Sequence, residues 1–114
     1  MTRYVTLILA SLLAMPAAAE MNLALSLGLG QNTSVQTAAY HCSDDTMLSV
    51  HYVIAGPNRL AVMPLQGETR LFVNVLSASG ARYASGALVW WSRGDTATLE
   101  NLQDGEPIEC VSVP

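Results

Sequence analysis

The sequence predicts an all-β fold, a small antiparallel eight-stranded β-barrel with one disulfide. Three observations lead there. Short segments rich in β-branched and aromatic residues recur along the chain, with turn formers between them at a spacing of about ten residues. No convincing amphipathic helical period interrupts them. Antiparallel strands in so small a domain close most simply as a barrel, which hides the sheet edges.

Taken in order, residues 1–19 read as a cleaved export signal. Arg3 gives a positive start, Val5 to Met15 an apolar stretch, and Ala17-Ala18-Ala19 a small-residue cleavage site before Glu20. A spanning helix needs about 20 apolar residues, so no membrane span is expected. No cysteine directly follows the apolar stretch to carry a lipid, which predicts a soluble periplasmic protein.

Residues 20–39 form an N-terminal extension. Leu23, Leu25, Leu27 and Leu29 alternate with smaller or polar residues up to Gly30-Gln31-Asn32, the pattern of a half-buried added strand. Such an apolar strand offers a second copy something to pair with, and a homodimer is one possibility it leaves open.

Strand candidates follow at Val35–Cys42, Met47–Ile54, Leu60–Pro64, Arg70–Leu76, Arg82–Ser85, Ala87–Trp91, Thr96–Leu102 and Ile108–Val113, with the barrel domain proper assigned to residues 40–114. Turn chemistry separates most of them: Ser43-Asp44-Asp45, Gly56-Pro57-Asn58, Gln66-Gly67-Glu68, Ser79-Gly80, Arg93-Gly94-Asp95 and Asp104-Gly105-Glu106. Leu71, Val73, Val75 and the run from Leu60 to Met63 are expected in the core. Trp90 and Trp91 are neighbours on one strand and face opposite sides, so one of them is core.

The chain has 9 acidic residues against 5 arginines, no lysine, and a formal charge of −4. Nucleic acid is excluded as a partner on that balance, whereas a basic protein gains from long-range attraction. Cys42 and Cys110 are the only cysteines of a chain read as exported, so a disulfide is expected between them. Closing so long a loop stabilises by about 4 kcal/mol in the chain-entropy model.

Little in the sequence points to catalysis. Asp44 and Asp45 are adjacent turn formers rather than a convergent pair of carboxylates. His41 and His51 with two cysteines do not reproduce a zinc spacing, and neither a nucleophile elbow nor a glycine-rich phosphate loop is present. No metal and no cofactor are expected. Tyr83 reads as structural, buttressing the Ser79 turn.

What remains is the stretch Ser77 to Leu99. Ser79-Gly80 and Arg93-Gly94 each set a polar residue before a glycine, the residue that takes positive φ without a Cβ penalty. The apolar, aromatic segment between them suits a strand, which places Ser79 and Arg93 on one locally rigid hairpin-like unit.

This stretch resembles the C-type lysozyme inhibitors of bacterial envelopes, which occur in membrane-bound (MliC) and periplasmic (PliC) forms. Their Ser-Gly-x-x-Tyr motif is matched in full by Ser79-Gly80-Ala81-Arg82-Tyr83. Their aromatic strand ending in a Thr/Ser-Lys-Gly turn is matched by Trp91-Ser92-Arg93-Gly94-Asp95, with Arg93 in the place of the lysine and Leu88 at a usual aromatic position. The similarity reaches outward to Tyr40-His41-Cys42, Leu60-Ala61-Val62-Met63-Pro64 and Phe72-Val73-Asn74-Val75-Leu76.

The resemblance implies the same barrel and a partner, C-type lysozyme, that is generally basic. It implies that the protein is not an enzyme but enters the lysozyme cleft with Ser79 and Arg93, supported by Gly80, Tyr83, Trp91, Ser92 and Gly94. Such a lysozyme cleaves with a protonated acid and an ionised carboxylate. Ser79 is expected to hydrogen-bond the first and Arg93 to face the second. The alternatives are an envelope-binding or structural barrel without lysozyme affinity, and a hydrolase with two carboxylates converging in a groove.

Overall fold

A computed structural model of the chain describes Gly28 and residues 32–114. These contain β1 (Thr33–Cys42), β2 (Met47–Ala55), β3 (Asn58–Leu65), β4 (Glu68–Val75), β5 (Ala81–Ser85), β6 (Leu88–Arg93), β7 (Thr96–Asn101) and β8 (Ile108–Val113). Each strand pairs antiparallel with the next and β8 returns to β1, so the sheet closes as the expected eight-stranded barrel. The export signal and the strand expected over Leu23 to Leu29 lie outside the described residues.

Most strand boundaries differ from the sequence reading by one or two residues. β1 starts at Thr33 and pairs with β2 from its first residue, Thr33 opposite Ala55, so residues 33–39 belong to the barrel rather than to an extension. A turn at Gly86 separates β5 from β6, in the gap expected between the Arg82–Ser85 and Ala87–Trp91 segments; the glycine's φ is 57°.

The core is filled from alternate strand positions. Trp90 is fully buried and meets the Tyr40 ring edge-on, centroids 5.1 Å apart. Its indole N–H donates to the Tyr52 hydroxyl at 2.9 Å, which shares a 2.7 Å hydrogen bond with the Tyr40 hydroxyl. The three polar tips therefore satisfy one another inside the barrel, as buried donors and acceptors must. Desolvation, reinforced by the Tyr52 partner, pushes the Tyr40 hydroxyl well above its ordinary pKa. Phe72, Met63, Val50, Ala61 and Ala97 are buried in the same interior. Cys42 and Cys110 stand opposite each other across the β1–β8 pair and form the expected disulfide, a covalent tie on the seam that closes the barrel.

Leu71, Val73 and Val75, expected in the core, face outward and are exposed. Phe72 takes the interior of β4, and the two-residue period of a strand then sends its neighbours to the other side. In β3, likewise, Ala61 and Met63 are buried while Leu60 and Val62 are half-buried on the outer face. The outer surface of β3 and β4 is thus apolar as well, which is why composition alone misassigns it.

The barrel has two unlike ends. One carries the β2–β3, β4–β5 and β6–β7 connections; the other carries the β1–β2, β3–β4, β5–β6 and β7–β8 connections. Ser79 and Arg93 lie at the first end and the disulfide toward the second.

Candidate functional site

The register of β5 on β6 sets the geometry at the first end. Ala81 pairs with Ser92, Arg82 with Trp91 and Tyr83 with Trp90. Gly80, one residue before β5, therefore lies beside the end of β6 and the turn that follows it. It has φ 64°, and a Cβ built on it would meet the Ser92 carbonyl, Arg93 Cγ at 2.9 Å and Trp91 Nε1 at 3.3 Å. The aliphatic stem of Arg93 lies where any other residue at position 80 would put its first side-chain carbon. Glycine is required here twice, by conformation and by space.

Trp91 joins the two turns. Its indole N–H donates to the Ser79 carbonyl at 2.8 Å, and the Arg93 guanidinium carbon stands 3.4 Å from the centroid of its ring. Arg82, its cross-strand neighbour, has its guanidinium 5.7 Å from the same ring, with a buried Nε that has no hydrogen-bond partner among the described residues. The exposed edge of the site is thus an indole bearing an arginine on its face and holding a serine turn by its N–H. A stacked guanidinium keeps its in-plane N–H groups free to meet a carboxylate in a bidentate pair.

Further hydrogen bonds fix the loops. The Ser77 hydroxyl lies within bonding distance of the Ser79 and Gly80 carbonyls, at 3.0 and 3.1 Å. The Thr96 hydroxyl donates to the Arg93 carbonyl at 3.2 Å, and Ser112 N–H donates to the Asp95 carbonyl at 2.8 Å. Gly94 has φ 58° and open space around it, so its role is conformational alone. Ser79 and Arg93 themselves are exposed.

Of the expected site residues, Ser79, Gly80, Trp91, Arg93 and Gly94 gather at this edge. Tyr83 and Ser92 do not. Tyr83 is buried with its ring 5.7 Å from that of Tyr52, and burial raises its hydroxyl pKa. Ser92 turns toward the Tyr40 hydroxyl inside the barrel. The group that buttresses the Ser79 turn is the Trp91 indole rather than Tyr83, because Tyr83 and Trp90 are the inward pair and Trp91 the outward one. Ser77, Thr96 and Arg82 were not singled out by the sequence; a serine two residues ahead of the turn glycine pair is the one local signal for the first of them. Leu88 lies at the opposite end of the barrel from these turns. Among the described residues, no group of three or more histidines, cysteines, aspartates or glutamates gathers to hold a metal.

The model for the family of membrane-bound lysozyme inhibitors of C-type lysozyme (MliC) matches residues 40–107. A membrane-bound lysozyme inhibitor of C-type lysozyme from Pseudomonas aeruginosa is 43% identical over 75 residues, covering 64% of this chain and 59% of the relative. One of the same name from Cupriavidus necator is 40% identical over 72 residues, covering 63% of this chain and 58% of the relative. This chain spans about three fifths of the length of those curated relatives. The crystal structure of Pseudomonas aeruginosa MliC in complex with hen egg white lysozyme superposes with a TM-score of 0.67 at 36% identity, covering 80% of this chain and 92% of that one. The matched residues take in β1 from Tyr40 to its end, β2 to β7 whole, the disulfide's Cys42 and both turns of the site. The chain belongs to the family of membrane-bound lysozyme inhibitors of C-type lysozyme.

Proposed function

We propose that this protein is an envelope inhibitor of C-type lysozyme that enters the active-site cleft with the Ser79 and Arg93 turns and covers the two catalytic carboxyl groups. The observation that carries the proposal is the Trp91 bridge, which holds both turns as one unit at an exposed edge. In a retaining glycosidase the two carboxyl groups lie about 5 to 5.5 Å apart, a spacing that two turns in contact can cover together. Ser79 exchanges a hydrogen bond with the protonated acid, since a hydroxyl both donates and accepts. Arg93 sets a permanent charge against the ionised carboxylate. Nothing in the inhibitor is cleaved, because it brings no glycosidic bond.

Arg93 in place of lysine changes how the charge is held. A lysine is a flexible point charge, whereas a guanidinium seated on an indole has fewer orientations to lose on binding and presents a fork. The acidic balance of the chain favours encounter with a basic lysozyme and adds to the on-rate at low salt. The export signal read in residues 1–19 directs the protein to the periplasm, and with Cys42 and Cys110 joined to each other neither cysteine carries a lipid. It acts as a soluble inhibitor, not an enzyme.

The test is residual C-type lysozyme activity on cell walls against the oxidised mature protein, residues 20–114, with Ser79→Ala and Arg93→Ala alongside. Loss of a charge-assisted hydrogen bond costs about 1.5 to 3 kcal/mol, so Arg93→Ala weakens inhibition by about ten- to a hundredfold. Ser79→Ala, which removes an uncharged donor, weakens it less. Full lysozyme activity in the presence of the folded, unmutated protein overturns the proposal and leaves an envelope barrel with another partner.

A further inference from the structure

The end of the barrel away from Ser79 and Arg93 is built differently. At the first end the interior is filled by Tyr40, Tyr52, Tyr83 and Trp90. Toward the second end the inward positions are mostly aliphatic, beside Arg70 and the Cys42–Cys110 disulfide, and Leu65, Leu88, Leu99 and Ile108 are only half-buried, with Leu48 beneath them. They line a mouth of about 790 Å³ open to solvent. An eight-stranded barrel either fills its interior with side chains or holds one small ligand there, and this volume falls in the range of small-molecule sites.

Two features say what chemistry suits it. Among the described residues no aromatic side chain lines the mouth, so they offer no platform for stacking a sugar or a nucleobase, and the floor is suited to a saturated chain. Its rim is acidic: Asp44, Glu68, Asp104 and Glu106 border it, against one arginine. That arginine, Arg70, is engaged with Ser85, Nε donating to the hydroxyl at 2.9 Å and a terminal N–H to the carbonyl at 3.3 Å. Asp44 accepts hydrogen bonds from the Thr46 hydroxyl and backbone N–H, which hold its carboxyl below the usual aspartate pKa and hence ionised.

We infer that this mouth binds a linear aliphatic amine, its chain on the leucine and isoleucine floor and its ammonium group among the rim carboxylates. The charge on the rim selects the cation, and the aliphatic floor gives a chain-length dependence of about fourfold per methylene buried. The site lies at the opposite end from the lysozyme-facing turns, so it stands or falls apart from the inhibitory reading.

The experiment is a methyl NMR titration of the oxidised mature protein with butyl-, hexyl- and octylammonium, and with octanoate as the anionic control. The expected result is saturable shifts on Leu65, Leu88, Leu99 and Ile108, tightening with chain length, with octanoate much weaker. A Glu68→Gln/Glu106→Gln variant, altered only at exposed rim positions, binds octylammonium severalfold more weakly with the same methyls shifted. Absence of saturable shifts at those methyls overturns the proposal. So does equal binding of octanoate, which marks an adventitious apolar additive only, or shifts confined to the outer Val73 and Val75.

Discussion

Trp91 holds two interactions that can be separated by substitution. Its N–H fixes the Ser79 carbonyl and its ring face seats Arg93. Trp91→Phe keeps a ring for the guanidinium and removes the N–H, a loss of about 0.5 to 1.5 kcal/mol for an ordinary hydrogen bond, so inhibition weakens by about two- to tenfold. Trp91→Leu also removes the stack, worth about 0.5 to 1 kcal/mol at an exposed site, and weakens inhibition further. If the stack is what positions Arg93, then Arg93→Lys costs much less in the Trp91→Leu background than in the unmutated protein. Inhibition constants for the four proteins, with thermal unfolding as the check on fold, decide the point; additive losses would contradict the coupling. At this scale the sequence was informative about turn residues, because a polar residue before glycine is a local signal. It was silent on which tryptophan faces out and on Ser77, since both depend on register. Tyr83 was assigned to the wrong partner for the same reason: its position in the motif is local, but the ring it meets, Tyr52, arrives from another strand.

The elements were legible from turn chemistry, and six of the seven connections between strands carry residues that announce a turn. The exception, Gly86 between β5 and β6, sits among alanines and serines that suit strand and turn alike. The face each strand turns inward was less legible, because β3 and β4 are apolar on both sides and the alternation that normally marks the core face is lost. The β1–β8 seam is closed by four paired positions, Ala39–Val113 through Cys42–Cys110, and the disulfide lies at one end of it. Joining residues 68 apart in sequence restricts the unfolded chain, and the chain-entropy model sets the gain at about 4 kcal/mol. Cys42→Ala/Cys110→Ala is therefore expected to lower the unfolding free energy by about that amount in denaturant titration. The Trp90 environment should stay native-like in the fraction that folds. A change below about 1 kcal/mol would mean that the strand pairing, and not the cross-link, closes the barrel.

The described residues form a closed barrel with two chemically different ends: an arginine stacked on an indole beside a serine turn at one, an aliphatic mouth with an acidic rim at the other. The closed fold follows from eight short strands that have no other way to hide their edges. The division of labour between the ends does not follow from any local pattern, because the mouth is assembled from residues on seven strands and four connections. The central claim concerns the first end, and it is that the Ser79 and Arg93 turns occupy the lysozyme cleft itself. The most direct measurement is competition: binding of the mature protein to a C-type lysozyme, followed by calorimetry with and without a short chitin oligosaccharide in the cleft. Mutually exclusive binding, with the apparent dissociation constant rising in proportion to the oligosaccharide added, is the predicted result. A ternary complex, in which inhibitor and oligosaccharide bind together with unchanged affinities, would contradict it.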